Sequence, residues 1–373
     1  MKIQLSKEDI KSFQKEMDQL QQEVRMKIGQ EDVDYIRAMA KISRYFEISG
    51  RLLIHFSLDP ISWGLGVACL SLHNILDNME IGHNVLHGQY DFMNDPEFDS
   101  NTFEWDIAIV AEDWKYSHNV MHHTWTNVLG KDHDFGYDAY RLDERVEWKP
   151  SHFFQPVTLA WTMTFFDFIV GLYSAGLTQL LETNTTNNEA KTDEEIGNSL
   201  RAFIKKNSKR GLKNYVFYPA LAGPFAFKVF AGNLTANIIR NLWASSVIFN
   251  GHFPEDTTVY TEDEIKGETR GDWYLRQVLG SANFDAGIIL HTLSGHLSLQ
   301  VEHHLFPRIP AWRYREMAPK VRAICEKYGV PYNTDRFSVQ FLNGIATRIF
   351  KHALPEKKLV SNQAGKSIEK KVA

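Results

Sequence analysis

Residues 295–310 read GHLSLQVEHHLFPRIP, and the rest of the chain is best understood outward from them. The stretch holds two adjacent histidines, His303 and His304, with Gln300 just before them and His296 four residues further back. Positions four apart on a helix share a face, so Gln300 stacks with His304 and His296 with Gln300. A pair of histidines alone is ordinary surface chemistry. Here the pattern recurs in His83-Asn-Val-Leu-His87 and in His118-Asn-Val-Met-His122-His123, while His252 stands alone in GHFPED at the end of an apolar segment. Imidazoles four apart can share one metal ion, and such sites suit iron, zinc, copper or nickel. Seven or more nitrogen ligands are too many for one ion, so two metals are implied.

The ligand set narrows the class. The His-Glu-x-x-His of a zinc protease is absent. A ferritin-like bundle needs two Glu-x-x-His motifs, and only Glu80 to His83 provides one. A metal transporter would place polar ligands mid-span, whereas these clusters lie in polar-aromatic stretches or just beyond apolar ones. A non-catalytic membrane metal-binding or transport protein therefore stays open only as a distant alternative.

Net charge is −5 among 373 residues, which gives no reason to expect nucleic acid. Cys69 and Cys325 cannot form a disulfide framework and match no zinc spacing. Met1–Gln30 has no apolar run of the kind that precedes a signal cleavage site. Mean hydropathy of −0.33 argues for a soluble protein, although such an average hides a few spans diluted by polar loops.

Along the chain, Ile10, Phe13, Met17, Leu20 and Val24 make an amphipathic helix, with Ser6 and Asp9 placed as a capping box. Residues 42–77 turn apolar around Pro60, as one tilted span or as a helical hairpin. Residues 153–181 are apolar but broken by Gln155, Pro156, Asp167 and Gln179, and a polar linker follows over 182–199. A basic segment from Arg201 to Lys213 marks the cytosolic side by the positive-inside rule. It makes 215–231 and 234–250 a there-and-back pair turning at Gly232-Asn233, and leaves 153–181 as a helix lying in the membrane interface. Histidines that share a site must all emerge on one face, which this arrangement satisfies.

The boxes HNVLH, HNVMHH and QVEHHLFP resemble those of the membrane fatty-acid desaturases, within the histidine-box superfamily of desaturases and hydroxylases. The resemblance runs from about Arg51 to Thr334. The longer phrases MEIGHNVLHGQYDFMNDPEF, RNLWASSVIFNGHFPED and RGDWYLRQVLGSANF are similar to bacterial NADPH-dependent stearoyl-CoA desaturases and linoleoyl-CoA-desaturase-like proteins.

What the resemblance implies is an O2-dependent acyl desaturase with two iron ions on the cytosolic face of the membrane. The fold expected is all-α, an integral membrane helical bundle with a cytosolic helical cap that holds the histidine-ligated di-metal site. Residues 1–41 form an amphipathic N-terminal region, 42–352 the desaturase domain, and 353–373 a Lys-rich disordered tail. By position in the boxes, His83, His87, His118, His122, His123, His303 and His304 are iron ligands, and His252 matches the family's extra histidine. Gln300 stands where many members have a histidine, and His296 is the alternative source of that ligand. Asp132, Asp134 and Glu302 are candidates to orient imidazoles by accepting their free N–H groups. His55, His73, His133, His152, His291 and His352 match no box. The substrate is a fatty acyl-CoA or acyl lipid. No cytochrome b5 haem motif or GxGxxG is present, so electrons are expected from a separate NADPH-dependent oxidoreductase with a flavin or iron–sulfur centre. The Arg201–Lys213 face is a candidate docking site for it, or for lipid headgroups. A hydroxylase or ketolase on the same scaffold is the nearer alternative.

Overall fold

The computed structural model describes residues 5–181 and 191–355. The expected tail beyond 355, and residues 182–190 of the polar linker, lie outside the described residues. The chain is mostly helical; the only strands among the described residues are Asn283–Asp285 and Thr334–Arg336, paired in parallel.

The first helix, Lys7–Arg25, is capped by Ser6, whose Oγ accepts from Asp9 N while Asp9 returns the bond to Ser6 N. Its buried residues Phe13, Met17, Leu20 and Val24 join Tyr274, Val278, Met317 and Val321 in one apolar core that also takes in Leu305 and Phe306. That core backs directly onto His303 and His304.

Two long helical hairpins form the other half. Gln30–Phe56 runs through the expected boundary at residue 42. It reverses at Ser57–Asp59 and returns as Pro60–Ile75, which continues through the π-helix Leu76–Gly82 into His83–Leu86. The apolar segment around Pro60 is thus a hairpin rather than one span. Asp59 caps the return arm, accepting from Ile61 N and Ser62 N. Glycine lets the arms touch: a Cβ on Gly50 would stand 2.7 Å from Leu70 N, and one on Gly66 2.8 Å from Ile54 N.

The second hairpin corrects the expected turn. Ala226–His252 is a single 27-residue helix, with Gly232 and Asn233 buried inside it. Gly232 lies against Ile54, and Asn233 Nδ2 donates to Asn214 O at 2.6 Å, so both residues serve helix packing. The reversal falls at 222–225 instead, where Gly223 adopts φ +55° ahead of Pro224. The outgoing arm is Asp193–Leu212, extended through Lys213–Phe217 and Tyr218–Leu221. Much of the basic segment on that arm is spent internally. Lys206 pairs with Glu104, Lys213 with Asp106, and Arg210 with both Asp106 and Asp167.

Between the hairpins, Pro150–Thr164 and Phe166–Ser174 meet at 99°. The polar residues that interrupt this segment point inward. Gln155 donates to Arg141 O and Ile349 O, and Asp167 accepts from Ala108 N, Arg240 and Asn241. Among the described residues no single helix is long and apolar enough to cross a membrane; this bent pair passes the same test only when its two parts are taken together.

Candidate metal centre

Each histidine box is aimed by a departure from regular α-helix. The π-helix Leu76–Gly82 delivers His83 and His87, whose ring centroids lie 4.6 Å apart. The second box lies on the π-helix Lys115–His122 and its exit. In an α-helix, positions i+4 and i+5 point 100° apart. The wider π turn brings both rings back, so His118 lies 5.0 Å from His122 and 4.9 Å from His123.

The third box does not form one helix from His296 onward. Gly295 and His296 both have positive φ, +64° and +59°, a turn Leu297–Leu299 follows, and the helix begins at Gln300. Only glycine fits at 295: a Cβ there would sit 2.2 Å from Met79 O, on the π-helix that leads to His83.

The result is two groups of converging nitrogens. His83, His87, His118 and His303 offer one nitrogen each within 4.8 Å of one another, and so do His122, His252 and His304. His123 closes a third such set with His303 and His304, joining the two groups. The adjacent pair His303–His304 sends one ring to each group; so do His118 and His122, four apart.

Fixed acceptors set which nitrogen is free. Asp134 Oδ2 accepts from His118 Nδ1 at 2.6 Å, and Asp132 Oδ1 from His122 Nδ1 at 2.7 Å. Gln277 Oε1 accepts from His304 Nδ1 at 3.1 Å. These bonds leave the lone pairs of His118, His122 and His304 on Nε2, facing the groups. Trp114 stacks on His118 at 4.4 Å. Gln277 was not found from the sequence; it lies in RGDWYLRQVLG, with no spacing that ties it to a box.

Burial pushes the His83 imidazole down to about 4, and holds His87, His118, His123, His252, His303 and His304 far below their ordinary value. His122 goes the other way: burial lowers it, but Asp132 and Asp134 together outweigh that. The rings are thus mostly neutral, the form that binds metal. Both ring nitrogens of His123 and His303, and Nε2 of His87 and His118, are buried without a hydrogen-bond partner. Each such orphan costs ~1–3 kcal/mol in a folded protein. Several in one place, each neutral ring offering one lone pair, fit a site built for cations.

Gln300 belongs to the second group. Its Nε2 lies 2.9 Å from His252 Nε2 and its Oε1 is buried without a partner. Turning the amide by 180°, which swaps two nearly equivalent atoms, sets the oxygen beside the His252 nitrogen. Gly251 leaves the room: a Cβ there would stand 2.8 Å from the Gln300 side chain.

Two expected residues lie elsewhere. His296 is in none of the groups; because the chain reverses its backbone there, its Nδ1 faces Glu80 Oε2 at 3.1 Å and its ring stacks on His291. Glu302 orients no imidazole: its carboxylate accepts from Asn283 and Tyr332, and burial pushes its pKa up to about 7.

One side of the imidazoles opens on a slot of about 40 Å³, touched by His83, His118, His122 and His252 and walled by Trp105, Ile107, Ile109, Phe166, Val170 and Ile248. Asp167, held by Arg240, also lines it.

Comparison with known proteins agrees with this geometry. Residues 61–336 match the fatty acid desaturase family. A NADPH-dependent stearoyl-CoA 9-desaturase of Mycobacterium tuberculosis is 39% identical over 362 residues, 96% of this chain and 83% of that protein. An sn-1 linoleoyl-lipid 6-desaturase of Synechocystis is 26% identical over 72% of this chain and 74% of its own length. Human fatty acid desaturase 3 is 31% identical over a shorter part, 28% of this chain and 22% of its own. The chain belongs to the fatty acid desaturase family, and it is an enzyme that desaturates fatty acyl chains.

Proposed function

We propose that two iron ions occupy the paired imidazole groups, one held by His83, His87, His118 and His303, the other by His122, His252 and His304 with Gln300, and His123 between them. The observation that carries this is the convergence of buried imidazole nitrogens into two adjoining sets, with His87, His118, His123 and His303 each holding a nitrogen that has no hydrogen-bond partner. Iron with O2 supplies the oxidising power to take hydrogen from an unactivated methylene, which no side chain has. The protein does the rest. Asp132, Asp134 and Gln277 hold three rings in the tautomer that presents Nε2. Trp105, Ile107 and Ile109 keep water from the slot and offer an acyl chain apolar walls.

Overall, two hydrogens leave the chain, and O2, two electrons and two protons give two waters. The acyl chain enters beside residues 105–109 and 166–170, with Ile248 the apolar contribution of the 226–252 helix. A slot of about 40 Å³ is far smaller than a ligand pocket of roughly 300 Å³ or more, so its walls part on binding.

The preferred substrate is a long-chain acyl-CoA, with the double bond at position 9. The extent and identity of the match to the stearoyl-CoA 9-desaturase, against the shorter and weaker match to the acyl-lipid enzyme, supports this choice. Two electrons come from a separate NADPH-dependent oxidoreductase with a flavin or iron–sulfur centre.

The protein is embedded in a membrane with the imidazoles on the cytosolic side, and residues 42–352 form the desaturase domain. Exposed apolar side chains line both hairpins, among them Leu58 at 93% exposure and Phe227 at 81%. Such faces are stable against lipid and costly in water. The hairpin tips meet at one end, where Lys228 donates to Ser57 O. From the start of each returning arm to its histidine is 23 residues (Pro60 to His83) or 26 (Ala226 to His252), about 35–39 Å at 1.5 Å per residue, between a hydrocarbon core of roughly 30 Å and a bilayer of roughly 40–45 Å with its headgroups.

The test is lipid analysis after expression with iron and a reductase. A stearoyl chain loses two mass units, only with O2 and reductant present; a gain of sixteen, the hydroxylase outcome, contradicts the reading.

A further inference from the structure

A second cavity reaches the imidazoles from another side. It is a groove of about 730 Å³, and the two rings in its wall are His87 and His123. No imidazole lines both the slot and the groove, so the centre has one face toward the apolar slot and another toward a polar, open surface. Cationic side chains ring the groove: Arg25 at the end of the first helix, Lys115, and Arg308 just after the third box. Lys115 pairs with Glu112, while Arg25 and Arg308 are exposed and have no carboxylate partner among the described residues. The groove's one carboxylate, Asp91, accepts from the backbone and hydroxyl of Ser100.

Desaturation needs two electrons per double bond from outside, and the enclosed apolar slot is suited to the acyl chain. On the alternative basic surface, Arg201–Lys213, three of the six cations, Lys206, Arg210 and Lys213, are paired with Glu104, Asp106 and Asp167, and none of that surface reaches the imidazoles. Resting on the metal reading above, we infer that the groove is the docking surface for the electron donor, a small redox protein with an acidic rim around its flavin or iron–sulfur group. Electrons enter through His87 and His123. Arg25 and Arg308 steer the encounter, which makes association fall with ionic strength.

The test uses the full chain in lipid nanodiscs, and a plant-type ferredoxin as the acidic probe. Its affinity is measured by titration at several salt concentrations, with and without iron loaded. Turnover is followed with the ferredoxin and, separately, with reduced methyl viologen, a small cation that needs no docking. The R25E/R308E variant is expected to weaken ferredoxin binding at least tenfold at low salt and to flatten its salt dependence. Its ferredoxin KM rises in parallel, and its viologen-supported rate stays within twofold of wild type. The milder R25Q/R308Q variant falls between. Unchanged affinity and salt slope in both variants, an equal loss from reversing Arg201, Lys205 and Lys209 instead, or wild type that viologen reduces and ferredoxin neither binds nor reduces, overturns the docking site alone. Wild-type protein that turns over with neither donor overturns the metal reading, and the docking site with it.

Discussion

His304 shows how little of a metal site resides in the ligand itself. Its Nε2 faces the second group while its Nδ1–H donates to Gln277 Oε1, with Thr126 Oγ1 3.3 Å from the same nitrogen. Gln277→Leu removes that acceptor and frees the ring to turn or to change tautomer. Iron affinity, read by competition with a chelator, is expected to fall about 10–100-fold, the usual cost of losing such a partner; an unchanged affinity contradicts the role. His296→Ala is the contrasting case. It leaves Glu80 buried with one oxygen short of its imidazole partner, so stability falls, by ~1–3 kcal/mol, while iron content stays at the wild-type level. Iron reduced by one ion per chain would make His296 a ligand after all. The box histidines were legible because their spacing is itself the chemistry. Gln277 and the Glu80–His296 contact were not, since both come from backbone paths that bring distant residues together.

At the scale of elements, box geometry depends on π-helix and on one glycine. The sequence does not reveal a π turn, because it differs from α in hydrogen-bond register rather than in residue type. The four-residue histidine step reads alike in both, and only the structure explains why His123 joins His118 as closely as His122 does. The second hairpin's turn was misplaced for a related reason. Gly-Asn is a turn signal, but a glycine inside a helix also lets another helix approach, as Gly232 does for Ile54. Gly295→Ala places a methyl 2.2 Å from Met79 O at φ +64°. The left-handed backbone alone costs ~1–2 kcal/mol, and relieving the clash moves the third box off the first. Thermal unfolding is expected to shift down and activity to be lost; wild-type melting and turnover would show that the close approach does not matter. Asp167→Ala leaves the buried Arg240 unpaired, with an expected loss of ~3–5 kcal/mol measured by chemical unfolding.

Across the whole molecule, the two hairpins carry apolar side chains outward while the histidines gather at the opposite end from the tips. Average hydropathy concealed this arrangement, since polar residues such as Gln155 and Asp167 are turned inward. A cysteine in place of Leu58 should react with a membrane-impermeant maleimide from outside intact cells, and one in place of Arg201 only after lysis; the reverse pattern inverts the proposed orientation. Two metals in two joined imidazole groups are visible to anomalous scattering at the iron edge from crystals of the iron-loaded protein. Two peaks are expected, one among His83, His87, His118 and His303 and one among His122, His252 and His304. A single peak, or one beside His296 and Glu80, would contradict that placement.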